Sequence, residues 1–452
     1  MTTRVSPASA GNINKLTISS NRGGGSADIS AIVPEFSYYE SVLSNVITAS
    51  MVVSETGFES KGIKTVATQG LLDGLPIRGG ERVDISIDDS QGNTLTFKDG
   101  LYVNRAGNAT PGTQNDTYFI DLTSKESFAN EQTRVVKRYE GKISDSVSSI
   151  LTQVLKSTGQ TLNIDSTAIP YNFIGNDRKP LYTCTWLAAK ATPLSQGKGG
   201  GNSVGGAAGY LFFQTRDGFN FRSIDNIFGD TVKKRYIYNN TGKTPGSQTA
   251  TSYDGNVLDY TIDRDVDMKE SLATGAYHNR SIFFDFYSMN YKVVEYDVGK
   301  QKKKLTTAGK KFAPSQVARE FTQSPTRLFS HVLDVGTIPS GVTSDAQLKN
   351  WQDNKTASNY DAEKSMVQSV MRYNQLFAVQ INITIACDLS IKAGDLIYCD
   401  FPEMKGEDNK ETNSESGGIY MVAHVCHRIT PQDSFSSLSL VRDSFGKNKG
   451  FV

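Results

Sequence analysis

His424, Cys426 and His427 carry imidazole nitrogens and a thiol, the groups that zinc prefers. Their spacing argues against a site, because successive side chains of a regular strand alternate, leaving His424 and Cys426 on one face and His427 on the other. Two ligands on a side do not make a metal centre, and a structural role is expected for all three. Asp263, Asp265 and Asp267 match the opening of a calcium loop. Met268 then stands where the sharp-turn glycine belongs and Thr274 where the bidentate glutamate belongs, so that loop fails.

The run QGKGGGNSVGGAAG, 196–209, is rich enough in glycine to suggest a phosphate cradle. A P-loop needs Gly-Lys followed by Ser or Thr at the start of a helix, and here Gly199 follows Lys198. The run also follows a predicted helix and precedes a predicted strand, the reverse of a dinucleotide fingerprint, so a connecting loop is expected. His278 and His331 have no partner serine in a GxSxG context. Paired carboxylates for glycoside hydrolysis have many candidates in a β-rich chain, and geometry alone selects among them. Lys300, Lys302, Lys303, Lys304, Lys310 and Lys311 form a basic stretch with few aromatics, which reads as a solvated or protein-facing surface rather than a nucleic-acid groove. No catalytic, cofactor-binding or metal-ligating residue is therefore assigned, no cofactor is expected, and the chain is not expected to be an enzyme.

The chain that positions these residues has 452 of them, enough for roughly three domains at about 150 residues each. Its 48 Lys and Arg against 47 Asp and Glu leave a net charge of +1, which gives no long-range attraction for nucleic acid or an anionic membrane. Four scattered cysteines make neither a disulfide framework nor a CxxC pair, so a reducing compartment is expected. The N-terminus lacks an apolar leader, and no run of apolar residues is long enough to span a bilayer. Forty glycines with 20 Tyr and 22 Phe favour strands and turns.

Val83, Ile85 and Ile87 alternate with Asp84, Ser86 and Asp88, the period of a strand with one wet face. Short strands recur to about residue 125. Val147, Ile150, Leu151, Val154 and Leu155 then follow helical spacing, with Ser144 expected as N-cap. A shorter helix is expected over 185–191, and GYLFFQT and GFNFRSI read as a hairpin joined by Arg216-Asp217-Gly218. Strand periodicity returns at Ile381, Ile383 and Ile385, with a turn at Ala393-Gly394-Asp395. Ile419, Met421, Ala423 and Val425 are expected to share one strand face, and 437–443 forms the last strand.

In their order along the chain, five stretches resemble the baseplate hub protein of contractile-tailed, T-even-type phages and, more distantly, the hub part of type VI secretion spike proteins. They are GLPIRGGERVDISI with LTFKDGLYVNRAG; YFIDLTSKESFANEQTRVVKRYEGKISDSVSSILTQVL; PLYTCTWLAAKATP with GYLFFQTRDGFNFRSIDNIF; MRYNQLFAVQINITIACDLSIKAGDLIYCDFPE; and GGIYMVAHVCHRITPQDSFSSLSLVRDSFG. The resemblance implies a β-rich α+β fold with two barrel-like hub domains around an α+β region, assembled as a trimeric ring. The division it implies is 1–125 for the first barrel-like domain, 126–255 for the middle region, 256–300 with 375–446 for the second barrel-like domain, and 301–374 for an insertion.

Three copies of two similar domains make a pseudo-sixfold ring, which implies a structural adaptor between a threefold central spike and a sixfold tail tube. The implied partners are further copies of the chain, a separate spike or cell-puncturing protein, a tail-tube or tube-initiator protein and baseplate wedge proteins, with no membrane anchor and no specific nucleic-acid binding. The expected location is the virion tail baseplate, reached from the host cytoplasm during assembly. An envelope polysaccharide hydrolase and a receptor-binding tail module are the competing classes. Prolonged chelation is expected to leave folding and assembly unchanged; a stoichiometric metal in protein purified without added metal would refute that expectation.

Overall fold

The alternation in ERVDISIDDS is a strand in the structure, a computed structural model that describes residues 11–23, 25–55, 71–75, 77–111, 115–157, 159–194, 207–238, 255–264, 267–286, 289–298, 306–312, 317–332, 343, 345, 368–402 and 415–446. The first eight strands are β1 (Asn12–Ser19), β2 (Ser26–Asp28), β3 (Glu35–Ser41), β4 (Thr48–Glu55), β5 (Arg82–Asp88), β6 (Thr94–Thr96), β7 (Leu101–Pro111) and β8 (Asp116–Thr123). They pair in the order β2-β1-β5-β7-β8-β4-β3, with β6 against β5. Leu16 and Ile18 at one end of that order share a core with Phe36 and Tyr38 at the other, so the sheet curls around its own apolar face.

The middle region carries β9 (Arg138–Tyr139), β10 (Thr161–Ile164), β11 (Phe173–Ile174), β12 (Tyr210–Thr215) and β13 (Gly218–Ser223). The expected helix over 144–155 is an α-helix, Ile143–Ser149, continued by a π-turn, Ile150–Val154. Its apolar positions do face one core, with Val147, Ile150, Leu151 and Leu155 buried there. Ser144 is not the cap; Lys142 holds that position, and the Ser144 amide is satisfied by the Thr167 hydroxyl at 3.1 Å, a partner supplied from 23 residues away. The second helix runs over Pro180–Ala188 rather than 185–191, because Pro180 pre-sets the first turn and Asn130 accepts the Leu181 amide at 2.9 Å. In the hairpin, Thr215 pairs with Gly218, so Arg216 and Asp217 alone make the turn and Gly218 opens β13. With φ of +142° and the Thr161 carbonyl 2.1 Å from where a Cβ would lie, position 218 admits only glycine.

The remaining strands are β14 (Lys234–Tyr238), β15 (Asn256–Arg264), β16 (His278–Asp285), β17 (Asn290–Asp297), β18 (Lys311–Phe312), β19 (Arg327–Val332), β20 (Val379–Ala386), β21 (Leu396–Asp400), β22 (Gly418–Ile429), β23 (Phe435–Arg442) and β24 (Ser444–Phe445). The pairings β22-β21-β14-β15-β20-β23 return to β22, closing a six-stranded barrel around Ile381, Ile383, Ile385, Tyr420, Val422 and Leu440. The chain is thus β-rich α+β with a closed barrel. A bulge between Val422 and His424 changes the face of β22 midway. Met421 and Ala423 therefore join the core shared with the middle region, while Val425 joins the barrel core, correcting the expected single face.

Of residues 256–300, Asn256–Arg264 stands in the barrel, and β16 and β17 form a separate sheet with β19 in the order β17-β16-β19. Within 301–374, β18 pairs with β24 and β19 with β16. Much of 301–374 lies outside the described residues, as do 196–206 of the glycine run. Where that run ends, the Ala207 amide donates to Asp225 and the Ala208 amide to Gln368. Among the described residues no helix is long and apolar enough to cross a membrane.

A buried charge cluster ties these bodies together, and a buried neutral imidazole joins β22 to β23 and to the loop before β21. Arg372, 2% exposed on the helix Gln368–Leu376, bonds to Asp443 just after β23, to Asp225 at 2.8 Å and to the Thr306 carbonyl at 2.5 Å. His427 is fully buried: its Nε2–H donates to the Ile391 carbonyl at 3.2 Å, and its Nδ1 accepts from the Ser436 hydroxyl at 2.7 Å. Burial, with the nearby Arg216 charge, pushes its pKa from the usual 6.5 to about 4.

Removing one partner of a buried ion cluster strands the others, so Arg372→Met is expected to lower stability by about 3–5 kcal/mol. Urea unfolding measures this, and adding Asp443→Asn and Asp225→Asn should recover part of the loss; a single-variant loss below about 1 kcal/mol contradicts a charged cluster.

Neutral His427 sets a pH dependence. The unfolded chain takes up a proton that the folded chain refuses, so this stability is complete above pH 6.5 and is lost as pH falls toward 4, on the order of 3 kcal/mol in all. His427→Gln should flatten the fall in unfolding midpoint between about pH 7 and pH 4.5. Equal falls in both proteins would remove His427 as the cause.

Candidate functional site

The sheet of the first eight strands and the barrel meet edge to edge where β3 pairs antiparallel with β22, His424 opposite Ser41 and Ile429 opposite Phe36. Alternation then sorts this seam into two faces. Tyr38 and Glu40 point inward beside Val425 and His427, with the Tyr38 and His427 rings stacked at 6.2 Å. Tyr39 and Ser41 point outward beside Cys426 and His424, into an open cleft of about 380 Å³.

The inward face is a joint. Glu40, 3% exposed, accepts from the Tyr38 hydroxyl at 2.8 Å, the Arg216 amide at 2.9 Å and the Ala393 amide at 2.8 Å. Those donors belong to the first sheet, the middle-region hairpin and the barrel. Burial raises the Glu40 pKa above the ordinary carboxylate range even though the amide donors pull it back.

The loop 387–395 receives further bonds from both neighbours: Asp89 accepts the Leu389 amide at 2.9 Å, and the Arg216 guanidinium donates to the Leu389 carbonyl. Gly394 is required in that loop, since its φ is +87° and a Cβ would stand 2.8 Å from the Phe213 ring. Asp388, buried below Lys234 and the Tyr236 hydroxyl, both at 2.8 Å, is held below the ordinary range because these donors outweigh burial.

The outward face is hydroxyl-rich. Thr261, Thr384, Ser437, Ser439 and Thr48 line the cleft with Asn382, His424 and Cys426. Burial lowers the His424 pKa and raises that of Cys426, the opposite of what a thiolate–imidazolium pair requires. Of the acidic residues bordering the cleft, Asp259 stands on β15, and Glu40 turns its carboxyl to the inward face, where both oxygens already accept hydrogen bonds. The arrangement offers hydrogen bonding without an activated nucleophile or a poised acid–base pair.

His424 and Cys426 do share a face and His427 does take the other, as spacing indicated. No group of three potential metal ligands occurs among the described residues. Asp263 lies within β15, Asp267 caps the helix Met268–Ala273 by accepting the Glu270 amide at 2.9 Å, and Asp265 lies outside the described residues. His278 is buried, its Nδ1–H donating to the Thr322 carbonyl at 3.0 Å, and His331 stacks on Phe283 and Phe329. Lys300, Lys302, Lys303 and Lys304 lie outside the described residues; Lys310 is exposed. Sequence inspection passed over Glu40 and Arg372. For Glu40 a signal existed, because Phe36, Tyr38, Glu40 and Val42 alternate, placing a carboxylate on an apolar strand face.

No protein-family model matches the sequence, and no curated protein matches it. Solved structures do. A tail protein from Neisseria meningitidis MC58 aligns with a TM-score of 0.52 at 8% identity, over 95% of this chain and 96% of that one. The 43 kDa tail protein of prophage MuSo2 from Shewanella oneidensis aligns at 0.48 and 9% identity, over 95% and 98%. An E. coli component of the type VI secretion system, described as structurally similar to the T4 bacteriophage tail proteins gp27 and gp5, aligns at 0.40 and 9%, over 95% and 77%. The chain shares its fold with the Neisseria tail protein.

Proposed function

We propose that this protein is a structural component of a phage tail, and within it the baseplate hub of a contractile tail. One observation carries the proposal: a closed six-stranded barrel is hydrogen-bonded through β3 and β22 to a second curled sheet, and Glu40 locks the joint. Two β bodies held at a fixed angle in one chain become six around a threefold axis, which is the geometry needed to join a threefold spike to a sixfold tube. Closed cyclic association then offers two different ring faces to two different partners. The likeness to a tail protein of the same fold supports this reading.

In it, residues 1–125 supply one hub domain, and 256–300 with 375–446 supply the second, its barrel completed by β14 from the intervening region 126–255, while β16 and β17 stand in a side sheet with β19 of the insertion 301–374. The ring takes a separate central spike or cell-puncturing protein on one side and a tail-tube or tube-initiator protein on the other, with baseplate wedge proteins around it. Its place is the virion baseplate, after assembly in the host cytoplasm. The role is mechanical and non-enzymatic.

Purified protein is expected to form a closed trimer of 148.2 kDa, three times the 49.4 kDa of the chain. With a net charge of +1, assembly should depend only weakly on salt. Size exclusion with light scattering, joined to low-resolution images of the particle, tests this: a threefold ring is the supporting outcome, and a stable monomer at micromolar concentration that remains a monomer with its spike protein overturns it.

A further inference from the structure

The small sheet β17-β16-β19 has its polarity reversed. On the side packed against the middle region, β16 presents Asn279, Ser281 and Phe283, all buried. There the Asn279 Oδ1 and Ser281 Oγ atoms have no hydrogen-bond partner among the described residues. On the opposite side, Ile282 and Phe284 of β16 stand level with Val293 and Tyr291 of β17 and with Ser330 and Val332 of β19, while Leu328 stands level with Arg280. That side is open: Tyr291 is 69% exposed, Val293 46%, Leu328 58% and Val332 59%, and the turn adds Phe286 at 60% and Met289 at 71%. Phe286 meets Phe284 edge to face at 4.9 Å, which extends the apolar surface toward the turn. Soluble surfaces seldom leave so much contiguous apolar area in water.

We propose that this face is a contact between copies of the chain. Area and charge select that occupant. Six side chains at roughly 100 Å² each, with the flanking Ile282 and Phe284, approach the roughly 800 Å² per partner of a stable protein interface. Among the described residues, the charged side chains of this face, Arg280 and Glu295, neutralise each other at 2.8 Å. A face without net charge, on a chain whose total is +1, meets its own copy without repulsion and has nothing with which to select a strongly charged partner. Permanent contacts between identical chains are also the most apolar class of interface. The proposal deepens the ring reading by giving it a surface, yet it does not depend on the number of copies.

The test compares wild type with Val293→Glu, Leu328→Glu and the double variant by light scattering, with circular dichroism to confirm folding. The expected result is an oligomeric wild type and a folded double variant at the 49.4 kDa of one chain. A wild-type dimer lost in the variant still supports this contact while overturning the threefold ring. A trimer that survives both substitutions overturns the contact and leaves the ring standing. A monomeric wild type overturns the contact, and a melting temperature lowered in its variants then shows that another part of the same chain covers the face. Should the glutamates prevent folding, Tyr291→Ala with Leu328→Ala serves instead: a rise of tenfold or more in the dissociation constant of the oligomer is expected, and an unchanged constant overturns the proposal.

Discussion

Glu40 is the constraint on which the arrangement of this molecule depends. A carboxyl group withdrawn from water is unfavourable unless its oxygens find donors, and here the donors come from three bodies at once. The Arg216 amide lies 176 residues along the chain and the Ala393 amide 353. All three bonds exist only when the first sheet, the middle hairpin and the barrel have reached their final positions. The carboxylate therefore penalises any other angle between the two β bodies, and the β3–β22 ladder, cooperative along its length, penalises any other register.

Arg372 repeats the device at the end of β23. Its guanidinium joins the helix Gln368–Leu376 to Asp443 beyond β23 and to Asp225 behind the hairpin. Buried ion clusters of this kind add little net stability compared with apolar packing, because desolvation offsets their attraction; what they do is disfavour every geometry that leaves one member alone. Both clusters therefore define the angle between the bodies they join more than they deepen the energy well.

Surface character follows the same division of labour. The outward face of the seam is lined with hydroxyls and an amide, groups that water satisfies as well as any partner does. The sheet β17-β16-β19 instead turns apolar side chains outward and keeps polar ones beneath. One surface is at ease in solvent and the other is not, a difference set by which face of each strand the remainder of the chain covers.

By itself, the sequence determined the local elements. Alternation at Val83, Ile85 and Ile87 and at Ile381, Ile383 and Ile385 placed strands, and helical spacing from Val147 to Leu155 placed one core-facing helix, because periodicity is a local property of the backbone. It also separated His424 and Cys426 from His427, because alternation needs only neighbours. Tertiary structure decided what depends on distant partners. Thr167 took over the satisfaction of a helix terminus that Ser144 was expected to cap, and Pro180 with Asn130 moved a helix start upstream. The bulge at Val422 and His424 set Val425 on a different core from Met421. The joint at Glu40 was half legible: the strand pattern turned the carboxylate inward, but its donors lie far along the chain. Which amides meet it is settled only when the barrel closes, since hydrogen bonds between remote residues are a consequence of topology and leave no period in the sequence.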